Sequence, residues 1–178
     1  FARWLRIRCP GYAGKISAVP NGIELCRDLQ GQNLKRKPHS ILSIGGGMPR
    51  KQIKYIAEAV MKLREEPEYA DAELIVIGDK GSDTDEINAS PCVRNEGIVP
   101  YERAMELMKE AALFVQNSCF ETFGLAPVEA LERGTSVLLS TEVGALEILN
   151  AVEEGDVIRD QKDPEEIERK IKNLLQQG

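Results

Sequence analysis

Aromatic residues are scarce in this 178-residue chain, at 5%, with a single tryptophan. No apolar run approaches the ~18 residues of a membrane-spanning helix, and mean hydropathy is -0.29, so an integral helical membrane protein is excluded. The four cysteines, at positions 9, 26, 92 and 119, show no close pairing. That excludes a disulfide scaffold and reads as buried or incidental thiols in a reducing compartment. That His39 is the only histidine argues against a zinc knuckle too. The chain has no internal repeat and no low-complexity tract. What remains is 42% apolar and 29% charged residues, the composition of a globular domain. Its length lets it bury ~70% of its unfolded surface without a metal or disulfide staple.

Charge is unevenly spread. Residues 1–64 hold 13 basic side chains against Glu24, Asp28 and Glu58, a net of +10; the other 114 hold 10 against 26, a net of -16. Such asymmetry fits an anionic partner for the first third, or simply a basic linker followed by solvated acidic helices. The acidic total disfavours nucleic acid as a partner, because its phosphates would be repelled by most of this surface. The chain opens on Phe1, and its basic, aperiodic beginning FARWLRIRCPGYAGK reads as a connection (1–15) arriving from a missing upstream part.

From Ile16 onward, short aliphatic runs alternate with helical patterns, which predicts a doubly wound α/β domain over 16–178 with a parallel sheet and helices on both faces. Strands are expected at 16–19, 41–45, 73–78, 92–93, 113–116, 136–139 and 157–158. Helical stripes run through Ile53, Ile56, Ala57, Val60 and Leu63, through Met105, Met108 and Ala112, and through Ile167, Ile171, Leu174 and Leu175. In such sheets ligands bind beyond the carboxyl ends of the strands, so the loops there are where chemistry is sought.

Two loops stand out. In ILSIGGGMPRKQ a strand runs into Gly45, Gly46 and Gly47, with Arg50 and Lys51 at the head of a helix, the outline of an anion site built from close backbone approach and helix dipole. It is not a P-loop, since Arg50-Lys51-Gln52 stands where Gly-Lys-Ser/Thr is required, and it is a poor dinucleotide fingerprint, with Arg50 at the third glycine position. In NSCFETFGLAPVEALERG, Pro127 marks a first helical turn, placing Glu121 in the loop and Glu129 in the helix, both facing one crevice. Thr122 is the only nearby acceptor for the amides from Gly124 onward, so a bound phosphate or sugar hydroxyl would satisfy them; alternatively Glu129 serves its own helix dipole. Ser82-x-x-Asp85 reads as a capping box rather than a metal site, and His39 has no partner at a suggestive spacing.

Together these segments resemble the C-terminal, donor-binding half of a family 4 (group 1) glycosyltransferase with the two-domain GT-B fold. The resemblance runs through VPNGIE (19–24), ILSIGGG with Lys51, ELIVIGD (73–79), NEGIV (95–99), FETFGLAPVEAL with its Glu121/Glu129 pair, RGTSVLLST and VGALEIL. It implies a retaining hexosyltransferase that uses a nucleotide-diphosphate sugar and needs neither a cofactor nor a metal. Lys51 and a nearby arginine would neutralise the leaving diphosphate, with Gly46 and Gly47 beside it. Glu121 would contact the transferred sugar and Glu129 the ribose. The backbone of Phe123, Gly124 and Leu125 would cover sugar and diphosphate, and Val99 would hold the base through its main chain. The family's arginine usually stands where this chain has Gly46, which leaves Arg50 as the replacement.

The glycan or glycolipid acceptor would be held by an absent N-terminal domain, so this half alone would bind but not transfer. The resemblance points to cytoplasmic polysaccharide or glycolipid assembly. The basic opening segment could face the inner side of a membrane, for peripheral association, or the missing domain. Readings that stay open are a GT-B sugar-nucleotide epimerase, a non-catalytic nucleotide-sugar-binding module, and an NAD-binding oxidoreductase domain.

Overall fold

The computed structural model describes residues 2–19, 21–22, 36–150 and 152–177. Six parallel strands form one sheet: β1 (Lys37–Ile44), β2 (Glu73–Ile77), β3 (Val93–Gly97), β4 (Ala111–Gln116), β5 (Ser136–Ser140) and β6 (Val157–Ile158), in the spatial order β3-β2-β1-β4-β5-β6. The helices are α1 (Ala2–Arg8), α2 (Ile53–Leu63), α3 (Thr84–Asn88), α4 (Tyr101–Glu110), α5 (Leu125–Glu132) and α6 (Pro164–Gln177).

The central strands are mainly apolar on both sides because both faces of the sheet are covered, with Ser40 and Ser43 the buried polar residues of β1. Alternate side chains point to opposite sides. Ile41, Leu74, Val76, Leu113, Val115 and Leu138 pack with Ile56, Val60 and Leu63 of α2 and with Ile167 and Ile171 of α6. Leu42, Ile75, Ile77, Phe114, Val137 and Leu139 pack with Met105, Leu107 and Met108 of α4 and with Ala130 of α5. The fold is the doubly wound, Rossmann-like α/β class that the alternation of runs predicts.

Two expected features are absent from the structure. Residues 16–19 form no strand: Val19 is 85% exposed and the run pairs with none of the six strands, and a short β-branched composition does not make a strand without such pairing. The Ser82 capping box also fails to form. The Ser82 hydroxyl donates to Asp83, whereas the Thr84 hydroxyl accepts the Gly81 N–H at 2.8 Å. Of the VPNGIE segment, positions 20, 23 and 24 lie outside the described residues.

The loops after β1 and β2 interlock through glycine. A Cβ on Gly46 (φ +54°) would lie 1.9 Å from the Asp79 carbonyl oxygen, and one on Gly47 would lie 2.0 Å from the Thr84 hydroxyl. Neither site has room for a methyl group. Gly46→Ala is therefore expected to cost about 1–3 kcal/mol for its left-handed backbone alone, with the clash added. Gly155→Ala, where nothing lies within 4 Å, should stay within about 0.5 kcal/mol of the parent. Urea unfolding of the two variants checks the contrast.

Candidate functional site

The strand order reverses between β1 and β4. The chain leaves β1 toward α2 on one face of the sheet and leaves β4 toward α5 on the other, which makes the carboxyl ends of these two strands the switch point beyond which ligands bind in such sheets. The two glycine- and charge-bearing loops singled out above, 45–52 and 117–124, follow these two strands and meet there.

In the first loop the backbone amides are already used. The Gly45 and Gly46 N–H groups donate to the Ile77 carbonyl at 2.8 and 3.0 Å, and Gly47 N–H donates to the Asp79 carbonyl at 3.0 Å. The expected amide cradle at Gly46 and Gly47 is thus not what these glycines supply here; they let the loop press against its neighbour. Gly45 adds room for a cation. A Cβ there would lie 2.4 Å from Lys51 Cγ, so the lysine stem runs over bare backbone, and its side chain is only 11% exposed. Arg50 and Lys51 lie in a 3₁₀ turn, Pro49–Lys51, and Gln52, with φ 51°, ends that turn and starts α2.

The second loop is tied down on both sides. Cys119 N–H donates to the Arg50 carbonyl at 2.9 Å, while the buried Asn117 amide donates to the Gln52 carbonyl at 3.3 Å and to the Gln161 carbonyl at 2.8 Å. Glu121 N–H donates to Glu142, and the Glu121 carbonyl accepts Gly144 N–H, both at 3.0 Å. Charges from distant parts of the chain therefore meet. Glu121 Oε2 receives Lys51 Nζ at 2.7 Å, Arg50 Nη1 at 3.2 Å and the Gln116 amide at 3.5 Å. Burial pushes the Glu121 carboxyl up, but Lys51 and Arg50 outweigh it and hold the group below the ordinary carboxylate range.

Glu129 sits in α5, with its Oε1 accepting the Tyr101 hydroxyl at 3.2 Å. No contact joins it directly to Glu121 or Lys51 among the described residues. Gly124 (φ +87°) precedes α5, whose amino end has no side-chain cap; Thr122 does not close it. A Cβ on Gly124 would lie 3.3 Å from Glu121 Cγ, so glycine lets the helix start close to that carboxylate. The Phe123 carbonyl accepts Ala145 N–H at 2.7 Å, and Leu125 is 42% exposed. Val99, between β3 and α4, is half-buried against the α4–α5 side of the core. His39 does have a partner, Asp71 Oδ1 at 2.6 Å, but it lies near the amino end of the central strand β1, at the opposite end from the loops that carry Lys51 and Glu121.

A family model described as glycosyl transferases group 1 matches residues 27–178. The chain belongs to that family. Among solved structures, this glycosyltransferase domain is similar to WaaG, a glycosyltransferase involved in lipopolysaccharide biosynthesis, at 18% identity with a TM-score of 0.70 over 92% of this chain and 48% of that one. Anabaena Alr3699/HepE, solved with UDP and glucose, aligns at 19% identity with a TM-score of 0.69, covering 94% of this chain and 49% of that one. The catalytic domain of cholesterol-α-glucosyltransferase from Helicobacter pylori aligns at 19% identity with a TM-score of 0.66, covering 79% of this chain and 87% of that one. No curated protein matches the chain in sequence. The chain spans about half the length of WaaG and HepE, and its sheet is a Rossmann-like domain of the GT-B kind.

Sequence reasoning missed Gln116, Asn117, Tyr101 and Gly144 of this glycosyltransferase domain. A polar Gln-Asn pair ending the buried strand ALFVQ was an available signal for the first two. Gly144 had none, although a Cβ there would lie 2.2 Å from the Thr122 carbonyl oxygen.

Glu121 has a folded pKa below its unfolded value, so its ionised form contributes stability above the unfolded-state pKa of about 4.3, and that contribution is lost as pH falls through the folded pKa. The stability difference between the parent and Glu121→Gln is therefore expected to be constant from pH 7 to about 5.5 and to shrink below about 4. Urea titrations at each pH measure it.

Proposed function

We propose that this domain binds the donor of a retaining hexosyltransferase, a nucleotide-diphosphate sugar, whose hexosyl group passes to a glycan or glycolipid acceptor held by a second domain. The observation that carries the reading is Lys51 and Arg50 meeting on Glu121 at the switch point of the sheet. A diphosphate leaving an anomeric carbon takes the bonding electron pair with it. Cations placed beforehand stabilise that charge more as the bond breaks than before it does.

In the proposed cycle the two cations turn from Glu121 to the diphosphate. Glu121, no longer neutralised, then accepts hydrogen bonds from hydroxyls of the transferred sugar. Arg50, 48% exposed in its side chain, is free enough to make that turn. It supplies the positive charge that an arginine at Gly46 would otherwise bring. The open amides at the amino end of α5, near Phe123, Gly124 and Leu125, would cover the phosphates and sugar. The main chain at Val99 would hold the base and Glu129 the ribose. On the same reading the protein works in the cytoplasm. Its basic α1 segment, with Trp4 54% exposed and Ile7 71% exposed, would face either the inner leaflet or the acceptor domain.

Calorimetric titration of the chain with UDP, GDP and ADP, their sugars and the parent nucleosides tests the proposal. At least one diphosphate should bind. Lys51→Ala should weaken it about 10- to 100-fold, the worth of a charge-assisted hydrogen bond, while leaving the nucleoside's weak binding unchanged. Failure of every diphosphate to bind, or equal loss of nucleoside and diphosphate affinity in Lys51→Ala, would overturn it.

A further inference from the structure

The two acids of the site are held in different ways. Glu121 is gripped by two cations and an amide on a single oxygen. Glu129 receives a neutral phenol, Tyr101, on Oε1 at 3.2 Å. A cation partner would offset the negative charge of Glu129, whereas a phenol fixes the rotamer of the carboxylate and leaves its charge and its remaining lone pairs available to hydroxyl donors.

Tyr101 is also oddly placed for a packing residue. It is the first residue of α4, two positions beyond Val99, and it is 60% exposed, so little of its ring contributes to the core. The buried Arg133 donates to the Glu129 carbonyl at 2.9 Å and to Glu132 at 3.0 Å, which anchors the backbone from which Glu129 projects, and its guanidinium also adjoins the Tyr101 hydroxyl. Burial, and then the charge of Glu129, push the Tyr101 phenol above its ordinary value, so it remains a proton donor through neutral pH.

Resting on the donor-site reading above, we infer that Tyr101 is a positioning residue that aims Glu129 at the vicinal hydroxyls of a ribose, so that the site selects ribonucleotide over 2′-deoxyribonucleotide donors. The segment 99–101 then has two tasks. Its main chain at Val99 faces the base, and two residues later its side chain sets the acid that reads the sugar attached to that base. A carboxylate left to rotate would meet the two hydroxyls in only a fraction of its conformers, and the affinity lost would fall on the ribose alone.

The test is a comparison of UDP, GDP and ADP with their 2′-deoxy counterparts by calorimetry on the parent, Tyr101→Phe, Glu129→Gln and the double variant. Phenylalanine keeps the ring and removes only the donor, and thermal unfolding checks that each variant is folded. The parent should prefer the ribonucleotide. Tyr101→Phe should weaken ribonucleotide binding about 3- to 10-fold, the worth of one hydrogen bond, with deoxyribonucleotide binding nearly unchanged. Glu129→Gln should erase most of the preference, and adding Tyr101→Phe to it should change the ratio no further. Diphosphate binding with the same ribose-to-deoxyribose ratio in the parent and Tyr101→Phe would overturn the role of Tyr101 and leave the donor site standing. Absence of any diphosphate binding would overturn both.

Discussion

The ammonium of Lys51 and the carboxylate of Glu121 lie 2.7 Å apart although 70 positions separate them, and the rest of the site is arranged around that contact. It exists because β1 and β4 are neighbours whose connections leave the sheet on opposite faces. Their two loops are tied together by Cys119 N–H to the Arg50 carbonyl and by Asn117 to the Gln52 carbonyl, and the second loop is also held by the pairing of Glu121 with the loop after β5. Those bonds use backbone atoms and one buried amide, so they fix where the loops lie without consuming the charges. Both members of the ion pair are largely shielded from water, at 11% and 16% side-chain exposure, where a charge held without a partner would be costly. An anionic ligand that takes over Lys51 and Arg50 therefore has to compete with Glu121 for them, and the carboxylate it displaces needs hydrogen-bond donors in their place.

The glycine-rich loop has a different job from the one its composition suggests. Three consecutive glycines after a buried strand look like a phosphate cradle, but the amides at Gly45, Gly46 and Gly47 are spent on the carbonyls of Ile77 and Asp79. What the glycines provide is absence of bulk. It lets the loops after β1 and β2 lock together, and it opens a track at Gly45 along which the Lys51 stem passes. The same close approach excludes any side chain at Gly46, so in this backbone a cation at that position is sterically forbidden. The positive charge of this loop stands further along the turn, at Arg50 and Lys51, both of which reach Glu121.

Much of this was legible in the sequence, for physical reasons that differ from part to part. The apolar stretches LIVI of β2 and ALFV of β4 do not alternate with polar residues because both faces of the strand are covered, and that pattern announces a parallel sheet without any knowledge of partners. Lys51 and Glu121 could be chosen because each follows a strand closely, where the fold leaves chain ends free for chemistry. Three things were not legible. The short run at 16–19 has the composition of a strand, but strand formation depends on pairing with a neighbour, which composition does not encode. The amides of the glycine loop are claimed by a carbonyl 30 or more residues away, and no local pattern encodes that. Likewise the pairing of His39 with Asp71 and of Tyr101 with Glu129 comes from packing of separate elements, which spacing along the chain does not reveal.

The most direct measurement of the central claim is a crystal structure of the protein soaked with a nucleoside diphosphate that binds in solution. The account predicts phosphate oxygens within about 3 Å of Lys51 Nζ, Arg50 turned toward them, and the Glu121 carboxylate released from both cations. A diphosphate bound elsewhere on the domain, or bound in the crevice with the Lys51–Glu121 pair intact, would contradict it.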